Sequence, residues 1–309
     1  MYDVIIIGSG VAGLSAAIYT GSRSLKTAMF EQADDVGGVI RRISNVTHFP
    51  GVDFNERGDS FISRIKEQVN DAGTEIFNER VQSVNLKSDP KVVTTDNGKY
   101  EAKKIIIANG TRARRLDCHN DENDSLISYD AFADSDKALG KEIFVVGGSD
   151  GALKESIFLA SLSSKVHLTH QRNKLTAIEN FVEEAEAKKN IEIHLNTRVH
   201  SVEGDGENTK VTLKNVDTGE EEVFEGKHFV FAYIGGVPNT EIYDGTGLEL
   251  DERQYVVTDR EMKTNIPGVY AAGDIVSFDI RQISVSAGEG TIAALKIADE
   301  IAGTTTIQD

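Results

Sequence analysis

The sequence has 309 residues and a net charge of −17, with a pI near 4.9. This length predicts a large core and two domains, and the acidity argues against nucleic acid and anionic membranes as partners. Apolar runs are too short to span a bilayer, and the first predicted strand starts at about residue 3, leaving no room for a leader, so we expect a cytoplasmic protein.

The chain begins with a pattern typical of dinucleotide-binding units. An apolar predicted strand runs into Gly-Ser-Gly-Val-Ala-Gly and then into a helical pattern. Gly8 permits the tight turn, Gly10 lets the backbone approach a pyrophosphate, and Gly13 lets helix and strand pack closely. The next predicted strand, residues 25–30, ends at Glu31, an acidic residue suited to ribose hydroxyls. The unit predicts a dinucleotide whose phosphates face the positive end of a helix.

The same pattern recurs near the middle of the chain. A predicted strand runs into residues 147–152 and a helix, and the following strand ends at His170. The first glycine of this loop and His170 are 23 positions apart, the same spacing as that between Gly8 and Glu31. Two units in the same register favour two dinucleotide-binding domains over a single large sheet.

The second loop departs from the first in its chemistry. Ser149 corresponds to Gly10, and His170 corresponds to Glu31, with Arg172 two residues further. Loss of the acid and gain of a cation suit the 2′-phosphate of NADP rather than NAD. The alternative is that Arg172 is a solvated surface residue and that the Ser149 side chain crowds the pyrophosphate. Both interpretations stay open at this point.

Strand-rich stretches follow each of the two units. They are residues 75–86, 92–95 and 105–108 in the first half, and residues 191–195, 210–214 and 228–232 in the second. Asn97-Gly98 and Thr218-Gly219 are hairpin signals at matching places. The predicted fold class is therefore α/β, with two Rossmann-like domains that each carry an added antiparallel β-ribbon.

Further motifs, taken with these, resemble the low-molecular-weight thioredoxin reductases, over nearly the whole chain. The motifs are Gly37-Gly38 followed by His48-Phe49-Pro50-Gly51, the strand and turn Ile105-Ile106-Ile107-Ala108-Asn109-Gly110, the segment from Ile234 to Thr240, and Tyr270-Ala271-Ala272-Gly273-Asp274 followed by Arg281-Gln282 and Ala287-Gly288-Glu289-Gly290. The family usually has Thr where Asn109 stands. The resemblance implies a first domain that binds FAD, residues 1–114 and 244–309, and an NAD(P)H-binding-like domain, residues 115–243, inserted into it.

The resemblance also implies a set of FAD contacts. They are Gly8, Gly10, Ala12, Gly13, Glu31, Gly38, Val39, His48, Asn109, Gly110, Gly273, Asp274, Arg281, Gln282 and Ile283. Within this set, Asp274 follows an apolar strand and can direct its carboxylate at a sugar-alcohol hydroxyl. We predict a helix from Ala287 onward, whose N-terminus would favour the negative charge of a reduced flavin.

The redox-active cysteine pair of the resembling family is missing. Asp130 and Ala133 stand where its two cysteines would be, and Asp134 is retained. Because the sequence contains one cysteine, Cys118, we expect no dithiol cycle, no disulfide framework and no cysteine-rich metal site, and we assign no metal ligands elsewhere in the chain. Asp130 is either a proton donor beside the flavin or a neutral replacement, and Asp134 is a proton-relay candidate through the resemblance.

A nicotinamide site is predicted in the second loop and just after His170. Its residues would be Gly147, Gly148, Ser149, Asp150, Gly151, His170, Arg172 and Lys174. In the resembling family this region carries His-Arg-Arg and a later Arg-Ala, of which Arg172 survives, with Lys174 as a stand-in. Some relatives of these reductases draw electrons from ferredoxin instead, so NADPH is one of two electron sources that we keep.

These observations leave three functional hypotheses. The first is an FAD enzyme that passes electrons between NAD(P)H and ferredoxin, flavodoxin, a quinone or a small disulfide, similar to the ferredoxin–NADP reductases of this scaffold. The second is an FAD oxidoreductase that uses a protein electron donor, docked on Arg41, Arg42, Arg112, Arg114 and Arg115. The third is a flavin-binding regulatory protein without turnover. The resemblance implies a homodimer in each case.

Overall fold

A computed structural model describes residues 1–46, 48–53, 56–120, 124–205, 207–277 and 280–303. The chain divides into two compact units, unit 1 (Met1–Arg112 with Pro238–Asp309) and unit 2 (Ala113–Val237). The domain boundaries predicted from the sequence fall after residues 114 and 243. These lie two and six residues later than the boundaries between the two units. The predicted α/β class is confirmed.

The described residues form many short strands and five α-helices. The strands are β1 (Tyr2–Ile7), β2 (Thr27–Glu31), β3 (Glu75–Asn78), β4 (Val81–Asn85), β5 (Lys91–Thr95), β6 (Lys99–Ile107), β7 (Thr111–Ala113), β8 (His119–Asn120), β9 (Ile127–Ser128), β10 (Glu142–Val146), β11 (Lys165–Thr169), β12 (Ile191–His194), β13 (Thr197–Gly204), β14 (Thr209–Asn215), β15 (Glu221–Gly226), β16 (His228–Ala232), β17 (Gly236–Pro238) and β18 (Val269–Ala271). The α-helices are α1 (Val11–Gly21), α2 (Gly58–Asp71), α3 (Asp150–Leu159), α4 (Glu179–Ala187) and α5 (Ile283–Ala302). Within the described ranges, no helix is both long and apolar enough for a membrane span.

Unit 1 is built on one sheet with the order β3-β2-β1-β6-β5-β4, and β18 pairs with β6. The pairs that involve β1, β2, β3 and β18 are parallel, whereas β4, β5 and the start of β6 form the added antiparallel ribbon. Val4–Ile7 are buried because both faces of the parallel part are covered. One side of the sheet packs against α1 and α5, which bring the two ends of the chain together.

Unit 2 contains two sheets. The first, in the order β12-β11-β10-β16-β9, is parallel throughout, and the second has the order β15-β14-β13-β8. A core around Phe144 and Val230 lies between the parallel sheet and the β13–β14–β15 ribbon. The hairpin predicted at Thr218-Gly219 joins β14 to β15, and Gly219 has the positive φ of +75° that such a turn requires.

Candidate functional site

The glycine loop of unit 1 follows β1 and is constrained at its first and last glycine. Gly8 has φ +100°, and a Cβ there would lie 2.4 Å from the carbonyl oxygen of Ala108 at the end of β6. A Cβ on Gly13 would lie 2.1 Å from the carbonyl oxygen of Gly8. Neither position accommodates a side chain without movement of backbone. The loop is therefore held tightly between strand and helix.

The middle of the same loop is open. Gly10 is the residue that precedes α1, and a Cβ on it would meet no described atom within 4 Å. The first turn of α1 contains no acidic residue, so its backbone N–H groups and positive dipole end carry no compensating charge from that turn. A Cβ on Gly38 would lie 3.2 Å from the Cα of Gly10, which brings the Gly37-Gly38 motif beside the loop. The arrangement suits a pyrophosphate.

Glu31 ends β2 beside this loop. Its carboxylate accepts a hydrogen bond from the backbone N–H of Ser9 (3.2 Å), another from the Ser9 hydroxyl, and a third from the N–H of Ala33 (2.9 Å). Ser9 is fully buried. The loop itself thus positions the acid that the sequence assigns to ribose hydroxyls.

The far end of the chain closes on the same loop through small residues. A Cβ on Gly273, which has φ +82°, would lie 2.8 Å from the Cβ of Ala12. A Cβ on Gly290 of α5 would lie 2.0 Å from the carbonyl oxygen of Ala12. Ser15 of α1 also donates a hydrogen bond to the carbonyl oxygen of Ala287, at 2.8 Å. These contacts explain why glycines recur at both ends of the chain.

Two carboxyl groups lie at this closure. Glu289 is buried and accepts a hydrogen bond from the N–H of Gly273 (2.7 Å). Burial raises the pKa of Glu289, the neighbouring charge of Asp274 raises it further, and the Gly273 N–H opposes both. The pKa of Asp274 is also raised by burial, against the lowering effects of Arg281 and a hydrogen bond with Ser286. Glu289 was not among the predicted site residues, because its role depends on how α5 packs.

The predicted helix at the end of the chain begins earlier than expected. It was placed from Ala287 onward, but α5 starts at Ile283, because Gln282 adopts the extended conformation of an N-cap residue. Its first turn carries no acidic residue. Arg281 lies exposed just before the helix, with its guanidinium 4.5 Å from the ring centroid of Tyr255. The segment thus presents a free helix N-terminus beside Asp274, as a flavin site requires.

Asn109, where the resembling family usually has Thr, joins two distant segments of unit 1. Its amide nitrogen donates to the carbonyl oxygen of Asn239 (2.8 Å), and its amide oxygen accepts from the hydroxyl of Tyr243 (3.0 Å). Asn239 reciprocates, donating to the carbonyl oxygen of Asn109 at 2.7 Å and, through its backbone N–H, to that of Gly110 at 3.0 Å. The pKa of the buried Tyr243 hydroxyl is raised by burial, so it stays protonated. Asn109 is therefore a positioning residue in this structure.

Two other predicted FAD residues lie on the surface. Val39 precedes a short 3-10 turn and is 61% exposed, and His48 is exposed with φ +58°. Their contacts with FAD stay a prediction. The remaining groups of unit 1 form one cradle: an uncompensated helix start, an open glycine, and the carboxylates Glu31 and Asp274. These residues fit FAD, and the contact of each with FAD stays a prediction.

The loop of unit 2 repeats the backbone of the first and differs in what surrounds it. A Cβ on Gly147 would lie 2.5 Å from the carbonyl oxygen of Tyr233 at the end of β16, the counterpart of Ala108. The next residue, Gly148, faces the ring of His170, whose Nδ1 would lie 2.5 Å from a Cβ there. The Nε2 of His170 is buried and has no hydrogen-bond partner among the described residues. Burial lowers the pKa of His170 and the charge of Arg172 lowers it further, against a hydrogen bond with the backbone of Lys174 that raises it.

The remaining predicted nicotinamide residues are arranged around this loop. Ser149 is exposed before α3, and Gly151 follows it in the first turn. Asp150 begins α3 and accepts a hydrogen bond from the N–H of Ile178 (2.8 Å), at the start of α4. Arg172 and Lys174 are exposed. The chain after Lys174 folds back, so that the N–H of Thr176 donates to the carbonyl oxygen of Gly148 at 2.7 Å.

Asp130 and Ala133, at the positions of the missing cysteines, form a hydrogen-bonded turn. The N–H of Ala133 donates to the carboxylate of Asp130 at 2.9 Å, and the N–H of Asp130 donates to the Ser128 hydroxyl at 3.0 Å. The N–H of Ala131, between them, donates to the hydroxyl of Tyr233 at 2.8 Å. The turn is thus stabilised by its own polar groups without thiols. Cys118, intermediate in exposure, packs beside the core of unit 2 and forms no disulfide.

Asp134 is held in its ionised form. Burial alone would raise its pKa, but the hydrogen bonds from Lys137 (2.8 Å) and from the hydroxyl of Ser128 (2.6 Å), with the Lys137 charge, bring the pKa below its usual value. A proton relay through Asp134 would therefore start with the carboxylate accepting a proton. The relay roles of Asp130 and Asp134 stay predictions.

Together, the two loops and their strands define a protein with two dinucleotide-binding units, of which the first has a flavin cradle. The chain belongs to the pyridine nucleotide-disulphide oxidoreductase family, which matches residues 2–290. Within it, the chain is a thioredoxin reductase-like FAD-dependent oxidoreductase. The sequence-based resemblance to this family is confirmed.

Individual relatives support the same assignment. The chain is 35% identical over 301 residues to the thioredoxin reductase of Peptoclostridium acidaminophilum, covering 95% of each chain. It is 34% identical over 305 residues to a 34.2 kDa protein in the rubredoxin operon of Clostridium pasteurianum, covering 97% of each. The crystal structure of Lactococcus lactis thioredoxin reductase matches with a TM-score of 0.93 at 31% identity, over 98% of this chain and 100% of the other.

Proposed function

We propose that this protein passes electrons between NAD(P)H and an external acceptor without a protein disulfide. The observation that carries the proposal is the turn at Asp130–Ala133, which is closed by its own hydrogen bonds in a sequence with a single cysteine. Two thiols are needed to form and reform a disulfide within one chain. FAD, when bound, supplies the ability to take up two electrons and release them singly or in pairs.

The residues of unit 1 would hold FAD in the following way. Gly10 and the start of α1 bind the pyrophosphate, Glu31 the ribose hydroxyls, and Asp274 the sugar-alcohol chain. Arg281, Gln282 and Ile283 place the start of α5 toward the flavin ring, where a helix N-terminus stabilises negative charge. In unit 2, His170 and Arg172 face the adenosine end of NAD(P)H. Candidate acceptors are ferredoxin, flavodoxin, a quinone and a small disulfide.

Anaerobic titration of the purified flavoprotein tests the proposal. We expect NADPH or NADH to bleach the flavin absorbance and an added quinone or oxidised ferredoxin to restore it. We also expect no NADPH-dependent reduction of thioredoxin. Cys118→Ser is the matched control and should leave the bleaching unchanged. Robust thioredoxin reduction that is abolished in Cys118→Ser would overturn the proposal.

A second candidate is an FAD oxidoreductase that takes electrons from a small carrier protein. The observation that favours it is the altered second loop, in which the His170 ring lies against Gly148 and Ser149 replaces the open glycine. The relative from a rubredoxin operon is consistent with an iron–sulfur carrier as partner. Reduction by reduced ferredoxin together with no bleaching by NADPH or NADH would select this candidate.

The arginines suggested for carrier docking are only partly free to attract an acidic protein. Arg112 pairs with Glu241 at 2.5 Å, and Arg41 pairs with Asp35 at 3.6 Å. Arg114 donates to the carbonyl oxygen of Gly236 at 3.4 Å, and the guanidinium of Arg115 lies 5.7 Å from the ring centroid of Tyr129. Exposed arginines in such pairs still contribute to steering, which is sensitive to salt. We propose a homodimer in the cytoplasm in either case; absence of reduction by every donor would indicate a regulatory flavoprotein instead.

A further inference from the structure

A cluster of histidine and glutamate side chains lies on the parallel sheet of unit 2, away from the glycine loop. His167 of β11 pairs in register with Glu192 of β12, and His194 lies two residues after Glu192. Because alternate residues of a strand share a face, Glu192 and His194 project on the same side of the sheet. In the described part of the chain, this is the one group of three or more His, Cys, Asp or Glu residues with ligand atoms within 4.8 Å of one another.

The distances within the cluster are short enough for the three groups to share one metal ion. The Nδ1 of His167 lies 2.9 Å from the Nε2 of His194. The Glu192 carboxylate lies 3.8 Å from the Nδ1 of His167 and 3.9 Å from the Nε2 of His194. Two ligand atoms that each bind Zn²⁺ at about 2.0–2.1 Å can be at most about 4.2 Å apart. All three separations fall within that limit.

A fourth residue orients the buried histidine. His167 is fully buried, and its Nε2 forms a hydrogen bond with the carboxylate of Glu142 at 2.8 Å. Its ring stacks on Phe144, with centroids 4.7 Å apart and an angle of 11° between the planes. When one ring nitrogen donates its N–H to a carboxylate, the lone pair of the other nitrogen is left for a metal, the arrangement found behind metal-ligating histidines. In this cluster, that lone pair points toward His194 and Glu192.

We propose that His167, His194 and Glu192 form a binding site for a divalent transition-metal ion such as Zn²⁺, with Glu142 orienting His167. Two imidazoles and one carboxylate are a donor set that zinc prefers. Such a set leaves one coordination position for water or another ligand. This site is independent of the flavin cradle and of the proposed electron transfer.

The surroundings favour entry of a cation. His194 lines an open groove of about 470 Å³, whose wall includes Glu220, Glu221 and Glu222 at the start of β15. One cation competes with the metal: the Nζ of Lys165 lies 2.6 Å from the Glu192 carboxylate. Lys165 is 40% exposed and has room to turn toward solvent. This predicts that removing the lysine charge strengthens metal binding.

Zinc titration of the holoprotein tests the site. After treatment with a chelator and its removal, calorimetry with Zn²⁺ alone should show one ion per chain. His194→Ala and Glu192→Gln should each weaken binding about tenfold or more, since even an orienting residue of a metal site contributes about that much. Lys165→Met should tighten it. Flavin content and circular dichroism check that each variant is folded, and Glu192→Gln changes a half-exposed side chain and should fold normally.

The matched control is His200→Ala, at a half-buried histidine of the same unit that lies 3.9 Å from Glu221. Its affinity for Zn²⁺ should equal that of the unmodified protein. No uptake at one equivalent of Zn²⁺ would mean that the His167–His194 contact is an ordinary hydrogen bond, and would overturn the proposal. The same holds if His194→Ala and His200→Ala bind equally well, because the ion would then reside on surface carboxylates.

Discussion

The loop after β1 and the loop after β10 have the same backbone plan and different surroundings. In each, the first glycine lies against a carbonyl at the end of the neighbouring strand, Ala108 in unit 1 and Tyr233 in unit 2, at Cβ distances of 2.4 and 2.5 Å. The second position differs: Ser9 binds the Glu31 carboxylate, whereas Gly148 leaves room for the His170 ring. A Cβ at Gly148 would overlap that ring. The change from Ser9 to Gly148 at the second position is therefore linked to the change from Glu31 to His170.

The third position of the loops decides what each can bind. Gly10 opens onto space before α1, whereas Ser149 carries a side chain before α3. The first turn of α1 has no acid, while α3 begins with Asp150. Positions that close the strand–helix turn are thus alike in the two units, and the positions predicted to face a ligand differ. The two loops therefore share a backbone geometry, whereas the side chains around the first loop are the ones that fit FAD.

The largest expected effect is a difference between two substitutions in the first loop, one that destabilises the fold and one that prevents FAD binding. Gly8→Val introduces a side chain at φ +100° and against the Ala108 carbonyl, so it should cost about 3 kcal/mol or more of unfolding free energy. Gly10→Val, where the space is open, should cost only about 1 kcal/mol, from a poorer helix N-cap. Yet Gly10→Val should purify without flavin. Denaturant unfolding of flavin-free protein and the flavin-to-protein absorbance ratio measure the two effects, and equal instability in both variants would contradict this division.

The sequence predicted this loop well because its requirements are local. Strand, glycines, helix and Glu31 all lie within the first 31 residues. The Thr218-Gly219 hairpin was predicted for the same reason. Glu289 was missed because its bond to Gly273 exists only after α5 packs on α1. The start of α5 was placed too late because residues 283–286, Ile-Ser-Val-Ser, are all modest helix formers and give no helical signal of their own.

Long-range pairs were beyond sequence reasoning. Asn109 and Asn239 are 130 residues apart, and nothing local to either predicts their reciprocal amide bonds. His167 and His194 lie on different strands, and only the register of β11 and β12 brings them together. The cysteine count excluded only a cysteine-rich metal site, and no metal ligands were predicted among the histidines because their pairing is not visible in the sequence. An alternation such as Ile-Glu-Ile-His at residues 191–194 is the signal that could have suggested the cluster.

The second effect concerns a contact that unit 1 has and unit 2 lacks. The position equivalent to Asn109 in unit 2 is Ile234, which has no side-chain amide. Asn109→Ala should lower the unfolding free energy by about 1–3 kcal/mol, because it leaves the buried Tyr243 hydroxyl without this partner. The exposed Asn78→Ala, which loses a 2.8 Å bond to the carbonyl oxygen of Ala33, is the control and should change stability by about 0.5 kcal/mol or less. Equal effects in urea titrations would indicate that the Asn109 contact is not a structural link.

The third prediction contrasts the two units in acid. In unit 2, burial lowers the pKa values of His167, His194 and His170, so the unfolded chain binds more protons and stability falls as the pH drops below about 6.5. In unit 1, burial raises the pKa values of Asp274 and Glu289, so the folded state gains protons and stability as the pH falls. Hydrogen exchange at pH 7 and 5.5, corrected for intrinsic rates, should show unit 2 losing protection first. If unit 1 lost protection before unit 2, the buried histidines would not be the groups that set stability in acid.

The smallest effects are expected at the exposed nicotinamide residues of the second loop. Arg172→Ala removes a solvated charge from the predicted 2′-phosphate position, so it should raise the KM for NADPH about tenfold and leave the KM for NADH unchanged. Arg198→Ala, another exposed arginine of unit 2, is the matched control. Ser149→Gly gives the second loop a glycine at the position of Gly10 in the first loop, and it should lower both KM values a few-fold. If neither Arg172→Ala nor Ser149→Gly changes either KM, the predicted positions of the 2′-phosphate and the pyrophosphate in the second loop are wrong.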